Sequence, residues 1–335
     1  MPPTRKAQAV VFVAKGKAQC QDVTIPSPGP KDVLVRIEYS AISIGTERWC
    51  FTANLHPPGE APQAFPFVPG YQAAGVIEEV GREVRGFKPG DRVFSISGRL
   101  AEGSPASQWG GHMSHHVAAP SSVLKLPKNV STREASGLLL AQVGYNGAFK
   151  PPVRRGDVAV IIGDGLVGQW AAQAFRHRGA HVLLSGHHDR RLKLARRYSA
   201  DEVVNARRQD LAAYVRKKWP HGVQIAGESA SKNELVRLAI DLVEYEGKLV
   251  LLGYYPEGEC RIDIHWTRAR ETTVYCPNSS TTERLKATLK LIAQGRMHVE
   301  ELVTHEFPAE QAAKAYQMIL DKSAEFLGVV LRWPR

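Results

Sequence analysis

Residues 158–170 read VAVIIGDGLVGQW, and this stretch decides the fold. A run of apolar residues is followed by Gly163, Gly165 and Gly168 in the spacing G-x-G-x-x-G, and a helix-like pattern comes directly after them. In such a strand, turn and helix, the first glycine permits the tight turn, the second lets the backbone approach a pyrophosphate, and the third lets the helix pack closely on the strand. The motif therefore predicts a dinucleotide-binding turn. The alternative is a turn of the same shape that binds no ligand.

The predicted helix begins at Leu166 and Val167. The first N–H groups of a helix have no partner within it, and the helix dipole adds partial positive charge at that end. We therefore expect the backbone at Leu166 and Val167 to bind phosphate together with the three glycines.

The end of the next apolar run indicates which cofactor is favoured. The run AHVLLSG, residues 180–186, ends at Ser185 and Gly186, and no acid stands there. A carboxylate at this point would accept hydrogen bonds from a ribose 2′-hydroxyl and repel a 2′-phosphate. The residues that follow supply donors and positive charge instead, so the sequence predicts NADP(H). The residues predicted at this end of the cofactor are Ser185, Gly186, His187, His188, Arg190 and Arg191.

Other roles stay open for this segment. Asp189 has the residue type of a helix N-cap, and Arg190 and Arg191 can equally be surface charges on the helix that follows. Because histidines titrate near neutrality, His187 and His188 suggest the hypothesis that affinity for a 2′-phosphate falls as the pH rises from about 6 to about 8.

The pattern of the chain changes at Pro151 and Pro152. Before them, short alternating segments are broken by Gly and Pro, which is typical of an antiparallel, barrel-like β domain. After them, apolar runs alternate with helical patterns, which predicts an α/β fold with a doubly wound parallel sheet. Two helices and one alternating strand close the chain, and that strand can return to the first domain.

Composition excludes several classes of protein. The 335 residues carry 44 Lys and Arg against 33 Asp and Glu, a formal net charge of +11. The basic residues form short clusters without a tail or an aromatic-interleaved stripe, so we expect a solvated basic surface, with attraction of an anionic ligand as the alternative and no specific nucleic-acid partner. No apolar run reaches about 18 residues, so no membrane partner is expected.

The four cysteines and the N-terminus indicate a cytoplasmic protein. Cys20, Cys50, Cys260 and Cys276 lie far apart, which predicts free thiols rather than a disulfide framework or a structural zinc lobe. The first residues show no apolar stretch of signal-peptide length.

Three phrases of the sequence carry a resemblance to a known family. GTER at 45–48, PGYQAAGVIEEVG at 69–81 and KPGDRV at 88–93 precede the glycine turn. In this order the chain resembles the medium-chain dehydrogenase/reductase superfamily over essentially its whole length.

The resemblance implies an arrangement of domains. It implies a GroES-like β-barrel catalytic domain from residues 1–146 and 295–335, a Rossmann NADP-binding domain from residues 147–294, and an active site in the cleft between them. It also implies a homodimer formed through the Rossmann sheets, for which residues 272–278 are the candidate edge.

The sequence departs from the zinc-dependent members at their ligand positions. At the positions where those members carry Cys, His and an acid, this chain looks to have Ile44, Tyr71 and Gln72. Apolar Leu138–Leu140 stands before the Rossmann unit. Ile has no ligand atom, and neutral Tyr and Gln are poor zinc ligands, so no catalytic metal is expected. The histidines of GGHMSHHV are interpreted as strand residues, with His112 and His116 on one face and His115 opposite.

Without zinc, side-chain donors must stabilise negative charge on the hydride acceptor. By position in the family, Tyr71 is predicted to donate a proton, Thr46 to match the hydroxyl of a proton relay, and Gln72 to offer an amide donor. An aromatic side chain that fills the vacant metal pocket is the alternative for Tyr71. Glu47 is expected to form a structural pair with a basic residue rather than to act as an acid.

The resemblance also suggests which residues line the substrate pocket. Tyr145 and Asn146 fall where relatives line the cleft beside the nicotinamide. Trp49 is predicted in the substrate wall, with Phe51 and His56 as further candidates.

The predicted function is a zinc-independent NADP(H)-dependent oxidoreductase that transfers hydride to an activated carbonyl or a conjugated alkene of a small-molecule substrate. Short motifs are similar to those of quinone reductase-like and bacteriochlorophyllide dehydrogenase-like members. One alternative is an NAD(P)-dependent secondary-alcohol, sugar or cyclitol dehydrogenase. Another is a cofactor-binding protein without turnover.

Overall fold

The chain is described by a computed structural model over residues 3–55, 64–107, 109–255, 258, 260–278 and 280–334. It divides into two compact units: unit 1 is Met1–Leu139 with Val299–Arg335, and unit 2 is Leu140–His298. Both boundaries differ by a few residues from the expected ones. The first falls inside a helix, where the sequence pattern does not change. At the second, the carbonyl of His298 accepts a hydrogen bond from Trp170 Nε1, which ties it to unit 2.

The strands form two sheets in unit 1 and one in unit 2. In chain order they are β1 Thr4–Ala14, β2 Lys17–Pro26, β3 Val33–Ala41, β4 Phe67–Val68, β5 Ala73–Val80, β6 Arg92–Ser95, β7 Ala106–Ser107, β8 His115–Ala118, β9 Val123–Lys125, β10 Val158–Ile162, β11 His181–Gly186, β12 Glu202–Asn205, β13 Val223–Glu228, β14 Val243–Leu251, β15 Thr273–Tyr275, β16 Val303–Pro308 and β17 Gly328–Arg332.

The helices lie mostly in unit 2. In chain order they are α1 Ile44–Phe51, α2 Thr132–Ala135, α3 Leu138–Phe149, α4 Leu166–His177, α5 Asp189–Leu194, α6 Leu211–Lys218, α7 Asn233–Leu242, α8 Ile264–Ala269, α9 Thr282–Ala293 and α10 Ala312–Asp321.

Unit 2 is built on a six-stranded sheet with the order β12-β11-β10-β13-β14-β15, in which neighbouring strands are parallel. This is the doubly wound order of a Rossmann domain, with a switch point between β10 and β13. All five residues of β10 are buried, as a parallel strand covered on both faces requires. The predicted α/β class is confirmed. The candidate dimer edge contains β15, which ends this sheet, and the homodimer stays a prediction.

Unit 1 contains a four-stranded sheet, β2-β1-β4-β7, and a larger sheet, β16-β17-β3-β5-β6-β9, in which β8 also pairs with β3. The C-terminal strand β17 pairs antiparallel with β3, with Val330 opposite Ala41. The C-terminal strand β17 therefore joins a sheet whose earliest strand along the chain is β3.

Several aromatic rings pack together in the core of unit 1. The ring of Phe12 lies 5.0 Å from that of Phe51 and 4.8 Å from that of Tyr316. All three side chains are fully buried, which stabilises the unit by about 1.5–3 kcal/mol for each apolar ring. Phe51 thus belongs to the core, and its interpretation as a substrate-wall residue was wrong.

The cysteines and the helices bear on two broader features of the chain. The four cysteines are free thiols. Within the described ranges, no helix combines the length and the apolar character needed to cross a bilayer.

Candidate functional site

The glycine turn lies at the switch point of the unit 2 sheet. Gly163 follows β10 with φ of +124°, a conformation that favours glycine. A Cβ on Gly168 would lie 2.2 Å from the Gly163 carbonyl oxygen, so this glycine is needed for the helix to pack on the strand. A Cβ on Gly165, by contrast, would have no neighbour within 4 Å. The turn is therefore closed at Gly163 and Gly168 and open at Gly165, which fits the approach of a pyrophosphate.

Helix α4 begins directly at this open point. Gly165 is its N-cap, and Leu166 and Val167 are partly exposed in its first turn. The first N–H groups of a helix lack partners within it and carry the positive end of the dipole, so this end fits a phosphate group. The predicted phosphate-binding residues are thus brought together.

An acid does lie against the end of β11, although the sequence showed none in that strand. Asp164, the residue between the first two glycines, accepts hydrogen bonds from the backbone N–H groups of His187 and His188, each at 2.9 Å. A Cβ on Gly186 would lie 2.3 Å from Asp164 Oδ2, so Gly186 leaves room for this side chain. Ser185 is buried within β11. The strand itself carries no acid, but the expectation that no acid lies at its end was wrong, because Asp164 reaches this point from the turn after β10.

The Asp164 carboxylate also attracts two of the predicted cationic groups. His188 Nδ1 lies 3.1 Å from both of its oxygens, and Arg191 is 3.4 Å from Oδ1. Burial would raise the pKa of Asp164, but the hydrogen bonds from His188 and His187 outweigh it and lower the pKa below its usual value. The positive charge of Arg191 is therefore partly balanced, which weakens the sequence argument for a cationic 2′-phosphate site.

His187 and Arg190 are exposed next to this cluster. Burial, followed by the nearby charge of His188, lowers the pKa of His187 below its usual value. Asp189 is not the N-cap of α5, because it is already the first residue of the helix and instead accepts hydrogen bonds from Asn205 and Arg208. The N-cap interpretation was wrong.

In unit 1, the predicted catalytic residues Tyr71 and Thr46 meet at one point. The phenol of Tyr71 donates a hydrogen bond to Ser43 Oγ, and the Thr46 side chain lies near enough to lower the pKa of the phenol. Its ring stands edge-on to the Trp109 ring, with centroids 5.1 Å apart. We call Tyr71, Ser43 and Thr46 the hydroxyl cluster. Ser43 is a member that the sequence analysis missed, and its position one residue before helix α1 was the available signal.

The surroundings of the hydroxyl cluster keep the Tyr71 phenol protonated. Desolvation raises the pKa of Tyr71 well above its usual value, and the nearby charge of Glu47 adds to this rise. Hydrogen bonding with Ser43 and Thr46 opposes the rise without cancelling it. Near neutral pH, Tyr71 is therefore a hydrogen-bond donor.

The fully buried side chain of Glu47 joins helix α1 to neighbouring segments of unit 1. One of its oxygens accepts the Ser43 N–H at 2.8 Å, and the other accepts from Tyr316 OH at 2.5 Å and contacts His112 Nε2 at 2.8 Å. We call Glu47, Tyr316, His112 and Ser43 the Glu47 network. The predicted structural pairing of Glu47 with a basic residue is confirmed, with histidine as the base.

His112 is also bonded on its other ring nitrogen. Trp333 Nε1 can only donate, and it donates to Ser40 Oγ at 2.9 Å. Ser40 Oγ in turn lies 2.8 Å from His112 Nδ1. His115 and His116 lie in β8, but His112 precedes this strand, so its interpretation as a strand residue was wrong. His112 and His116 are fully buried and His115 is partly exposed.

The remaining predicted residues occupy separate positions. Gln72 is buried, and its Nε2 donates to the Ala41 carbonyl at 3.3 Å, so this donor is turned to the backbone. Trp49 packs partly buried against the core of unit 1. His56 lies outside the described residues.

Helix α3 carries the predicted pocket residues Tyr145 and Asn146. The Tyr145 ring stacks on Phe149 with centroids 4.0 Å apart, and Asn146 donates to the Asn278 carbonyl at 3.3 Å. Both belong to unit 2, as does Gln142 one turn earlier, which the sequence analysis did not single out.

Two family models match this chain. The "Alcohol dehydrogenase GroES-like domain" matches residues 29–128, and the "Zinc-binding dehydrogenase" domain matches residues 167–294. An alcohol dehydrogenase of Geobacillus stearothermophilus is 30% identical over 311 residues, which cover 86% of this chain and 89% of that protein. The chain belongs to the medium-chain dehydrogenase/reductase superfamily.

More distant similarities extend over nearly the whole length of this superfamily member. A sorbitol dehydrogenase of Halalkalibacterium halodurans is 25% identical over 338 residues, 94% of this chain and 96% of that protein. A putative zinc-binding dehydrogenase of Sinorhizobium meliloti, solved bound to NADP, has a TM-score of 0.83 at 22% identity and covers 98% of this chain and 99% of its own. The chain is therefore an oxidoreductase of a dehydrogenase family.

Because members of the superfamily are described as zinc-binding, the donor set in unit 1 needs a test. Ile44 has no ligand atom and packs against the apolar core, the Tyr71 phenol is bonded to Ser43, and Leu138 is buried. In the described part of the chain, one group of three His, Cys, Asp or Glu side chains has its ligand atoms within 4.8 Å of one another, namely Asp164, His187 and His188 of unit 2. Among the described residues around Tyr71, no three such side chains bring their ligand atoms within 4.8 Å of one another, as the ligands of a catalytic zinc site would.

Proposed function

We propose that this oxidoreductase uses NADP(H), works without a catalytic zinc ion, and reduces an activated carbonyl or a conjugated alkene. The observation that carries the proposal is the hydroxyl cluster, in which Tyr71, Ser43 and Thr46 meet where zinc-dependent relatives are expected to hold their ligands.

Hydroxyl donors suit the charge that develops in such a reduction. When bound, a nicotinamide cofactor supplies a hydride, and negative charge builds on the oxygen of the acceptor. Tyr71 is protonated near neutral pH, and the proposal requires its O–H to turn from Ser43 Oγ to that oxygen, where it can donate a hydrogen bond and then a proton. The role proposed for Thr46 and Ser43 is to hold the phenol and to replace its proton.

A conjugated or otherwise activated acceptor is the kind of substrate that suits hydroxyl donors. Neutral hydroxyl groups polarise a carbonyl less than a metal ion does. An acceptor that delocalises its negative charge needs less polarisation, which is why the proposal favours an enone, a quinone or an activated carbonyl over a simple ketone.

The choice of NADP(H) rests on the segment after β11. His187 and Arg190 are exposed there, and Arg191 is partly exposed. Asp189 stands within the segment, and its oxygens accept from Asn205 and Arg208. Asp164 lies against this segment, but it is 5% exposed and its oxygens already accept hydrogen bonds from the protein. It is therefore less available to a ribose hydroxyl than an acid at the end of the strand would be.

One observation favours a second candidate, an NAD(P)-dependent secondary-alcohol or sugar dehydrogenase. The matching sorbitol dehydrogenase is aligned over 94% of this chain. In that direction of reaction, Tyr71 would have to accept a proton, and its raised pKa suits this only in a phenolate form that neutral pH does not populate.

Two assays separate the candidates. NADPH oxidation is measured with quinones, enones and ketones, and NADP+ and NAD+ reduction is measured with polyols and secondary alcohols. We expect turnover in the first panel and a preference for NADPH over NADH. Turnover restricted to polyols would support the second candidate instead, and binding of NADPH without any turnover would support a protein that has lost catalysis.

Metal analysis tests the zinc-independent part separately. Protein purified without added metal is expected to contain less than stoichiometric zinc and to keep its activity in a chelator. Stoichiometric zinc, or activity lost to chelation and restored by a divalent ion, would overturn this part of the proposal while leaving the cofactor assignment intact.

A further inference from the structure

Gln142 on helix α3 is a buried amide without a hydrogen-bond partner. Its side chain is fully buried, and among the described residues neither Oε1 nor Nε2 has a partner. A buried polar group left in this way costs about 1–3 kcal/mol of stability, and native structures contain few of them. Such a group needs a reason, and a ligand that binds to it is one.

The other buried glutamines show how unusual this is in the described part of the chain. The amide of Gln169 donates to two carbonyls, of Asp164 and Arg191, and its oxygen accepts from Ser199. Gln173 donates to Ser199 and His298 and accepts the His298 N–H at 2.6 Å. In both of these buried glutamines of unit 2, the amide nitrogen and the amide oxygen are therefore hydrogen-bonded.

Two glycines fix where α3 lies. A Cβ on Gly144 would come within 2.6 Å of the backbone of Ala171, so α3 packs tightly on α4, the helix that begins at the glycine turn. A Cβ on Gly147 would lie 2.2 Å from a methyl group of Leu252, which directly follows β14. Helix α3 is therefore held against α4 and the carboxyl end of β14, and ligands bind at the carboxyl ends of strands in open α/β sheets.

Gln142 shares a helix face with both predicted pocket residues. Residues three and four positions apart are neighbours on a helix surface, so Gln142 lies beside Tyr145 and Asn146. Asn146 has its amide bonded to a carbonyl, whereas Gln142 keeps both its donor and its acceptor unused.

A primary amide with a free donor and a free acceptor is complementary to another primary amide. The pyridine ring of a nicotinamide cofactor carries such a carboxamide. We infer that Gln142 binds the nicotinamide carboxamide through two paired N–H···O hydrogen bonds, and that this contact orients the ring. The inference rests on the proposed use of a nicotinamide cofactor, and it adds a residue that no motif in the sequence identifies.

The substitution Gln142→Leu tests the inference because it keeps the approximate size of the side chain and removes both polar groups. We expect NADPH to bind about 10-fold to 100-fold more weakly, which is the loss of one or two buried hydrogen bonds. Binding of 2′-phospho-ADP-ribose, which lacks the nicotinamide, is expected to stay within twofold. In the absence of cofactor, the melting temperature of the variant is expected to rise, because a buried unpaired amide is removed.

Gln173→Leu is the matched control. It removes an amide of the same size and burial whose hydrogen bonds are all made, so we expect its melting temperature to fall and the ratio of NADPH to 2′-phospho-ADP-ribose affinities to stay unchanged. A Gln142 variant that behaves like this control would show that the residue is structural, and would overturn the inference.

An analogue tests the same contact in the unaltered protein. In the 3-acetylpyridine analogue of NADP, a methyl group replaces the amide nitrogen, so one of the two hydrogen bonds is impossible. Wild-type protein is expected to bind this analogue at least fivefold more weakly than NADP, and Gln142→Leu is expected to bind both equally. Equal affinities in the wild type would overturn the inference.

The failure of the inference can be told from the failure of the proposed function. Wild-type protein that binds neither NADPH nor NADH would overturn both. Wild-type protein that binds a dinucleotide, with a variant that binds it equally well, would overturn the role of Gln142 alone. If NADH binds more tightly than NADPH, the same comparison is made with NADH and ADP-ribose.

Discussion

Glu47 in unit 1 and Asp164 in unit 2 are both buried acids, but their partners are distributed differently along the chain. Glu47 contacts His112, 65 residues away, and Tyr316, 269 residues away. Asp164 is paired with residues only 23–27 positions away, all in one segment after β11. The same chemical group therefore joins distant parts of the fold in one unit and shapes one binding segment in the other. Substitutions at the two sites should differ accordingly.

The largest effect is expected from Glu47→Ala. The substitution leaves His112, Tyr316 and the Ser43 N–H without their acceptor, and breaking a buried pair in this way costs about 3–5 kcal/mol of unfolding free energy. Urea unfolding followed by tryptophan fluorescence measures it. The exposed Glu310→Ala should change the unfolding free energy by less than about 0.5 kcal/mol. A loss below about 1 kcal/mol for Glu47→Ala would show that the network does not hold unit 1 together.

Tyr71→Phe is expected to have the next largest effect, and on turnover rather than on folding. The ring and its contact with Trp109 are kept, while the hydroxyl is lost. We expect kcat to fall about 100-fold with an unfolding free energy changed by about 1 kcal/mol or less. Phe12→Leu, a change in the core of unit 1 away from the hydroxyl cluster, should show the opposite pattern. An unchanged kcat in Tyr71→Phe would leave Tyr71 as a packing residue.

Asp164→Asn should lower the unfolding free energy by about 1.5–3 kcal/mol, because a charged acceptor of several hydrogen bonds is replaced by a neutral one. The pKa of Asp164 is lower in the folded protein than in the unfolded chain. Its contribution is therefore present above the unfolded pKa and is lost as the pH falls through the folded pKa. The difference between wild type and variant should shrink below about pH 4. A difference that does not depend on pH would contradict the assignment of charge to Asp164.

Gly165→Ala should change binding while leaving the fold intact. A Cβ there meets nothing within 4 Å and the backbone φ is −74°, so we expect stability within about 0.5 kcal/mol of the wild type. If the pyrophosphate lies against this point, the Kd of NADPH should rise about 10-fold. Gly168→Ala is the contrasting control, because its Cβ would clash with a carbonyl oxygen and cost about 1–3 kcal/mol of stability. Unchanged NADPH affinity in Gly165→Ala would place the phosphates elsewhere.

The smallest effect is expected from the titration of His187. Burial lowers its pKa, so its cationic form appears only below the ordinary histidine value of about 6.5, and the window lies lower than the sequence suggested. NADPH should bind up to about fivefold more tightly when the pH is lowered from about 7 to about 5, with NADH unaffected. His187→Gln should remove this difference. Parallel pH curves for the two cofactors in the wild type would exclude a cationic His187 at the 2′-phosphate.

Where a predicted site uses the backbone, the sequence placed it well. The binding predicted for the glycine turn uses N–H groups and close approach, and the spacing of Gly163, Gly165 and Gly168 was enough to place the turn between a strand and a helix. The alternation of strands and helices after it likewise predicted the doubly wound sheet. Both depend on neighbours along the chain, and local patterns describe such neighbours.

Where a function uses side chains from separate segments, the sequence predicted only part of it. Tyr71 and Thr46 were found through their positions in the family, but Ser43 was not, because a serine before a helix is ordinary. Asp164 was missed because it reaches the end of β11 from the turn after β10. Gln142 was missed because only the structure shows that its amide has no partner among the described residues.

The sequence by itself determined the class of fold, the dinucleotide turn and the departure from the zinc ligand pattern, since each is written in residue types at fixed spacing. Only the tertiary structure decided which donors surround Glu47 and Asp164, that Tyr71 is held by Ser43, and that Gln142 is buried with its amide unpaired. Hydrogen bonds act over about 3 Å, and a sequence does not state which distant residues come that close.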